Sequence, residues 1–243
     1  MLAKAAELST DNPAIEVAVV RLDVAPSAVD AAAALLSAAE RRRASRFAFV
    51  RDRRRYIVAR AQLRRLLGTR LQVRPEAVEF VYGESGKPAL AQPFADSELH
   101  FSVTHADDFA AYAFSRGCEI GVDIEAVRIM PEAATLAAQF FSQRENAAYR
   151  ALDACDQPLG FFNCWTRKEA FVKALGIGLG YPLDSFDVSL APDEPARFLR
   201  VDNLLGKACG WTLHSLAPSP GLIGAVVVRH AADATPPTFL ATP

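Results

Sequence analysis

The stretch that most constrains this chain is Phe161 to Leu179, FFNCWTRKEAFVKALGIGL, taken together with the short run GVDIE at Gly121 to Glu125. In the longer stretch Trp165, Glu169 and Lys173 recur every four residues, so on a helix they share one face, with an acid and a base along one wall. In the shorter one, alternation at period two sends Ile120, Val122 and Ile124 to one side of a strand and Asp123 and Glu125 to the other. Two strand rises put those carboxylates about 6–7 Å apart at Cα. At an effective dielectric of about 20 they repel by roughly 2–3 kcal/mol, which a bound cation reverses and water only dilutes. If Glu169 comes close, Asp123, Glu125 and Glu169 supply three oxygen ligands. Hard oxygen donors, with no Cys or His in ligand spacing, suit Mg²⁺ shared with a phosphate-bearing substrate.

The charge distribution supports a phosphate ligand. Arg41 to Arg74 contains thirteen arginines and one acid, Asp52, although the net charge of the whole chain is −1. Most of these arginines are expected on a solvated helix face, and some should face a phosphate. An arginine stripe is also the footprint of nucleic-acid backbone binding. No binding motif accompanies it here and no stacking aromatics interleave it, so a compact phosphate ligand is expected rather than nucleic acid. Cys118, Cys155, Cys164 and Cys209 show no C-x-x-C spacing, which disfavours a zinc site or a disulfide framework and fits a reducing cytoplasm. The N-terminus lacks an apolar leader core and no run approaches eighteen apolar residues, so neither secretion nor membrane spanning is expected.

Taken in order, Ile15 to Leu22 reads as a strand, Pro26 to Ala39 as a helix, and Ser37 with Glu40 as a capping box opening the next helix. Asp52 is the expected N-cap of a further helix that packs through Tyr56, Ala59, Leu63 and Leu66 and stops at Gly68. Strands are expected at 79–82, 99–103 and 109–114, with Thr104 and His105 side by side at a strand end as a phosphate clamp. Ser142 and Glu145 form a second capping box, 153–158 reads as a loop, and the organising helix ends at Gly176. Strands follow at 186–190, 196–201, 210–216 and 222–229, and the tail from about 231 reads as poorly ordered. Laid end to end the two halves repeat helix, glycine and strands in one order, with basic residues mainly in the first half and carboxylates in the second. The expected fold class is α+β: two similar lobes, 1–120 and 121–243, related by a pseudo-twofold axis, each a mostly antiparallel sheet packed with helices, with one working cleft between them.

GVDIE followed some forty residues later by WTRKEAFVKALGIGL resembles the signature pair of the 4′-phosphopantetheinyl transferases, in their larger, single-chain, two-lobed, surfactin-synthetase-activating form. GKP at Gly86 to Pro88 and FSVTH at Phe101 to His105 stand in order upstream, and the resemblance runs from about Ser37 to Leu190. It implies transfer of the phosphopantetheine arm of coenzyme A to a serine of an apo acyl or peptidyl carrier protein, with Mg²⁺. It implies Glu169 as base, directly or through water, and Lys173 on the departing pyrophosphate. Asp123 and Glu125 hold the metal with Glu169, Asp123 and Lys173 also facing the coenzyme. Arg43 is the first choice and Arg55 the second for the 3′-phosphate, Lys87 meets another phosphate, and Thr104 and His105 meet the pyrophosphate. Two departures stand out: Ser102 occupies a position the family usually gives to Asn, and Glu40 lies where a basic residue often sits, which leaves the choice among Arg41, Arg42 and Arg43 open. The family's carrier proteins present an acidic helix beside the serine, and a monomer with internal pseudo-symmetry is expected. The competing readings are a coenzyme A or nucleotide-phosphate binding module without transferase activity, and an arginine-rich nucleic-acid binder.

Overall fold

Two sheets packed face to face form the centre of the protein, and each carries one long helix on its outer face. The computed structural model describes residues 15–83, 86–178, 180–201 and 210–229, together with the backbone of 239–241. The first half runs β1 (Ile15–Arg21), α1 (Pro26–Ala34), α2 (Ala38–Ala44), α3 (Val50–Leu71), a 3₁₀ turn (Pro75–Ala77), β2 (Phe80–Tyr82), β3 (Pro88–Leu90), β4 (Leu99–Ala106) and β5 (Phe109–Arg116). The second repeats that order as β6 (Ile120–Ala126), α4 (Ala133–Phe140), α5 (Gln143–Ala151), α6 (Gln157–Leu175), a 3₁₀ turn (Leu183–Ser185), β7 (Phe186–Val188), β8 (Phe198–Val201), β9 (Trp211–Ser219) and β10 (Leu222–Arg229). The sheets repeat as well. In the first, β1–β5–β4 are antiparallel neighbours, and in the second β6–β10–β9 are antiparallel neighbours in the same sequence of roles. The protein is therefore α+β with antiparallel sheets packed against helices.

Alternation along the strands sorts the side chains into layers. Ala111 and Ala113 of β5 and Ile120, Val122 and Ile124 of β6 share one apolar cluster with Val226 and Val228 of β10, which glues sheet to sheet. The opposite face of the first sheet, through Tyr112 and Phe114, packs on Ala59, Leu63 and Leu67 of α3. The opposite face of the second, through Ala225 and Val227, packs on Phe171 and Ala174 of α6. The last of these contacts positions the site. A Cβ on Gly121 would lie 2.0 Å from the carbonyl oxygen of Ala170, so glycine there lets α6 rest directly on β6.

Both expected capping boxes form, and each glutamate does more than cap. Glu40 accepts from the Ser37 backbone N–H at 2.8 Å and, though buried, also takes Arg64 Nε at 2.8 Å and Arg60 Nε at 2.5 Å. Arg64 passes the connection to the carbonyls of Pro75 and Val78 around the first 3₁₀ turn. In the second half Glu145 accepts from the Ser142 N–H at 2.8 Å and pairs with the fully buried Lys168 at 2.8 Å. Lys168 then donates to the carbonyls of Leu183 and Phe186 around the second 3₁₀ turn. The same staple thus occurs twice.

Several boundaries differ from the sequence expectation. The helix expected over 26–39 stops at Ala34, because Ser37 caps a separate helix, α2. Asp52 is not the N-cap of α3: the helix starts at Val50 after Phe49 and leaves Asp52 in its first turn, where an acid favours the dipole. Gly68 does not end that helix, which runs to Leu71 with left-handed Gln72 as its C-cap. Gly68 is needed inside the helix because a Cβ would meet the Val73 carbonyl at 2.8 Å where the chain folds back. Helix α6 begins at Gln157, not after the expected loop, since Pro158 is tolerated in a first turn. It ends at Gly176 as expected. The tail expectation falls mostly outside the described residues, but Phe239–Ala241 form β11, parallel to β1, and cover the edge that β1 leaves unpaired.

Candidate active site

The groove joins three cavities, two lined by the first half and the third by both halves. Arg42, Arg43 and Arg46 line the first, ≈ 600 Å³, with Phe47. Arg43 and Phe47 also border the second, ≈ 460 Å³, beside Tyr56, Tyr82 and His105. Gly86, Pro88 and Val103 join the second to the third, ≈ 340 Å³, whose wall carries Lys87, Glu169 and Lys173. A ligand following the groove passes from arginines, past aromatic rings, to carboxylates and a lysine.

At the carboxylate end, α6 lies on β6 and delivers its 165–169–173 face to the strand. Trp165 is spent on packing: it stacks on Phe161 at 5.9 Å and meets Phe140 edge-on at 5.8 Å. Lys173 Nζ lies 2.7 Å from Asp123 Oδ1 and 3.1 Å from Thr104 Oγ1, and the Thr104 hydroxyl donates to the same Asp123 oxygen at 2.8 Å. Asp123 Oδ2 and Glu169 Oε1 are buried with no protein partner. Burial, then the nearby Asp123 charge, raises the pKa of both Glu169 and Glu125, with Lys173 opposing in each and Arg128 also opposing at Glu125. Asp123 is raised as well, by its own burial against the pull of Lys173. Arg128 reaches Glu125 Oε2 at 3.4 Å.

These residues fit a hard divalent cation. Asp123 raises the proton affinity of Glu125 and Glu169, Glu125 adds to it at Glu169, and two buried carboxylate oxygens point at no donor, so positive charge is what the cluster lacks. Among the described residues no group of three or more His, Cys, Asp and Glu side chains is arranged to hold a metal ion. Magnesium keeps several of its waters and is commonly bound through one or two carboxylates plus substrate phosphates.

The phosphate-side residues divide differently from the sequence expectation. Thr104 and His105 do not form one clamp: as neighbours on a strand they point to opposite faces. Thr104 is committed to Asp123 and Lys173, whereas His105 lines the middle cavity. The walls of that cavity, and secondarily the Lys173 charge, lower the His105 pKa although the residue still reaches solvent. Arg55 lines the same cavity, but its guanidinium makes a forked pair with Asp23 at 2.8 and 2.6 Å and donates to the Asp107 carbonyl. Arg43 lies over the Tyr56 ring at 5.7 Å and borders two cavities. Arg41 donates to the Leu36 carbonyl, which turns it to the end of α1, while Arg42 and Arg43 face the groove. Glu40 is not a misplaced ligand, because it is the buried centre of the first staple. Lys87 donates to the backbone carbonyls of Ile120 at 3.2 Å and Lys173 at 2.5 Å. Ser102, where the family usually has Asn, accepts from the Val122 N–H at 3.1 Å and ties β4 to β6. Sequence reasoning missed Tyr82, which lines the middle cavity and takes a bond from Arg60. It also missed the buried Lys168, whose only sequence signal is its distance from a capping-box glutamate.

With this geometry in place, two family models match the chain: the 4′-phosphopantetheinyl transferase superfamily over residues 119–226, and the N-terminal part of a 4′-phosphopantetheinyl transferase over 24–116. The 4′-phosphopantetheinyl transferase HetI of Nostoc is 38% identical over 207 residues, which cover 85% of this chain and 84% of that protein. The chain belongs to the 4′-phosphopantetheinyl transferases. The transferase Sfp of Bacillus subtilis is 31% identical over 158 residues, 65% of this chain and 68% of that one. A human relative, the L-aminoadipate-semialdehyde dehydrogenase-phosphopantetheinyl transferase, is 27% identical and covers 63% of this chain and 52% of its own. As a phosphopantetheinyl transferase of the larger type, the chain has two halves of like strand order.

Proposed function

We propose that this phosphopantetheinyl transferase moves the 4′-phosphopantetheine arm of coenzyme A onto a serine of an apo acyl or peptidyl carrier protein and releases adenosine 3′,5′-bisphosphate. The observation that carries the reading is the continuity of the groove, from Arg42 and Arg43 to the Asp123, Glu169 and Lys173 cluster. Arg43 takes the 3′-phosphate, since Arg55 is held by Asp23 and Arg41 by a carbonyl. His105 borders the path of the pyrophosphate.

In the reaction the serine oxygen forms a bond to the β-phosphorus while the bond from that phosphorus to the bridging oxygen breaks. Glu169 accepts the serine proton, and its raised pKa makes it a better base than an ordinary carboxylate. Lys173 offsets the negative charge that grows on the leaving bisphosphate. Asp123, Glu125 and Glu169 would hold Mg²⁺, which when bound would supply charge stabilisation to the substrate's phosphates. Thr104 keeps Asp123 and Lys173 in register. We assign the phosphate-holding role to residues 1–120 and the metal and catalytic role to 121–243, in a cytoplasmic monomer. Among the described residues no helix is long and apolar enough to cross a membrane. Mass spectrometry of a panel of apo carrier proteins incubated with enzyme, coenzyme A and Mg²⁺ tests the proposal. A mass gain of one phosphopantetheine arm on the carrier serine is expected. Coenzyme binding with no transfer to any carrier selects the binding-module reading instead.

A further inference from the structure

We infer that Lys87 is a positioning residue that sets the place of Lys173 through the backbone, by clamping the end of α6 and the start of β6 to the β2–β3 hairpin, rather than a phosphate ligand. The inference rests on the transferase reading for the role of Lys173, but the clamp itself is a statement about the coenzyme-free protein.

The argument starts from orphan carbonyls. The last four C=O groups of a helix have no partner within it and sit at the negative end of its dipole, so a cation there is favoured twice over. In α6 the Val172 carbonyl is taken by the Gly176 N–H, closing the left-handed cap. The next carbonyl, that of Lys173, receives the Lys87 ammonium at 2.5 Å. A second ammonium hydrogen goes to Ile120 O at 3.2 Å, at the first residue of β6. Lys87 comes from the other half of the chain, and its two acceptors lie on the two elements whose side chains make the carboxylate cluster.

The clamp also defines the cavity. Gly86 and Pro88, either side of Lys87, form one wall, and Gly176 and Gly178, just past the Lys173 carbonyl, belong to the same lining. Holding these segments together fixes the backbone from which the Lys173 side chain reaches Asp123 and Thr104. Burial, with the Lys173 charge adding to it against Glu119, lowers the Lys87 pKa to about 8, as expected for an amine withdrawn from water. A group inserted between two carbonyls has one hydrogen left. It is therefore poorly placed to give up both bonds for a phosphate each time the coenzyme binds.

The test uses Lys87→Met, which keeps the stem and removes the donors, and Lys87→Gln, which keeps a donor and removes the charge. Hydrogen–deuterium exchange of the coenzyme-free enzyme is read at amides 173–178, beside steady-state kinetics with coenzyme A and isothermal titration of coenzyme A. Exchange at that turn should speed up tenfold or more in Lys87→Met. The kcat should fall by at least tenfold, while the affinity for coenzyme A changes less than threefold. Lys87→Gln should recover part of the exchange protection. Unchanged exchange at 173–178 in both variants overturns the inference, and so does a tenfold loss of coenzyme affinity with kcat retained. Exchange needs no turnover, so an inactive wild-type enzyme would refute the transferase reading while leaving the clamp to be judged on exchange alone.

Discussion

Replacing Glu169 by Gln should stabilise the coenzyme-free protein while removing most of its activity. Glu169 brings a third negative charge to a cluster in which one of its oxygens is buried without a partner. Two unit charges about 6 Å apart at a dielectric of about 20 repel by roughly 3 kcal/mol. Lys173 offsets part of this, and partial solvent access screens more, which leaves about 1 kcal/mol. The sign follows from the raised pKa. A carboxyl whose folded pKa lies above its unfolded value contributes stability below the ordinary carboxylate range and loses it as pH rises through the folded value. At neutral pH that contribution is gone, and Gln restores it. A gain of about 1 kcal/mol raises Tm by about 2–4 °C in a chain of this size, while loss of a general base lowers kcat by about 10²–10⁴-fold. Scanning calorimetry without metal or coenzyme, at neutral pH and again toward the carboxylate range, measures the first effect, and single-turnover transfer measures the second. The Tm gap should narrow on acidification. A variant that melts at or below the wild type at neutral pH, or whose advantage grows with acid, refutes the reasoning.

The two ends of the groove should separate in steady-state kinetics. Arg43→Ala should raise the coenzyme KM by about tenfold with kcat largely kept, and Lys173→Ala should lower kcat with a smaller change in KM, because only stabilisation that grows toward the transition state lowers the barrier. The opposite pattern would dissolve the division of labour between the halves. Glu40→Gln should destabilise the fold by about 3 kcal/mol in urea unfolding, since it leaves the buried Arg64 guanidinium without its carboxylate; a loss below about 0.5 kcal/mol would mean the pair is dispensable. Transfer should weaken with added salt through the carrier KM, as exposed charge pairing with an acidic carrier helix is screened, and a salt-independent KM would point to apolar docking.

The meeting of the carboxylates with Lys173 was legible because its spacing is local. Period two on β6 and period four on α6 fix which side chains share a face, and Gly121 brings the two faces into contact. The double topology was legible from the order of helices, glycines and strands. What stayed hidden depends on long-range partners. Nothing near Arg55 in sequence reveals that Asp23 will hold it, and GKP does not show that its lysine turns to carbonyls of β6 and α6. Thr104 and His105 look like one clamp in a string of letters, yet the pleat separates them. Gly68 reads as a stop, and only the return of the chain at Val73 and Pro75 shows why a helix interior needs it. Lys168, in the middle of the signature, is fully buried, and nothing near it in sequence names Glu145 as its partner.

The paired staples bear on how the chain acquires its shape. Glu40 and Arg64 are 24 residues apart, and Glu145 and Lys168 span a similar length, so each closure spends little chain entropy compared with joining strands across the molecule. Each half therefore holds a local nucleus of two helices and a turn that can form before the sheets meet. The apolar layer between β5 and β6 is complete only when both halves are in place, and it couples the two nuclei. The cluster of Thr104, Asp123 and Lys173 draws on β4, β6 and α6, so it needs both halves docked, and a chain stalled with both nuclei formed would keep its helices while lacking that cluster.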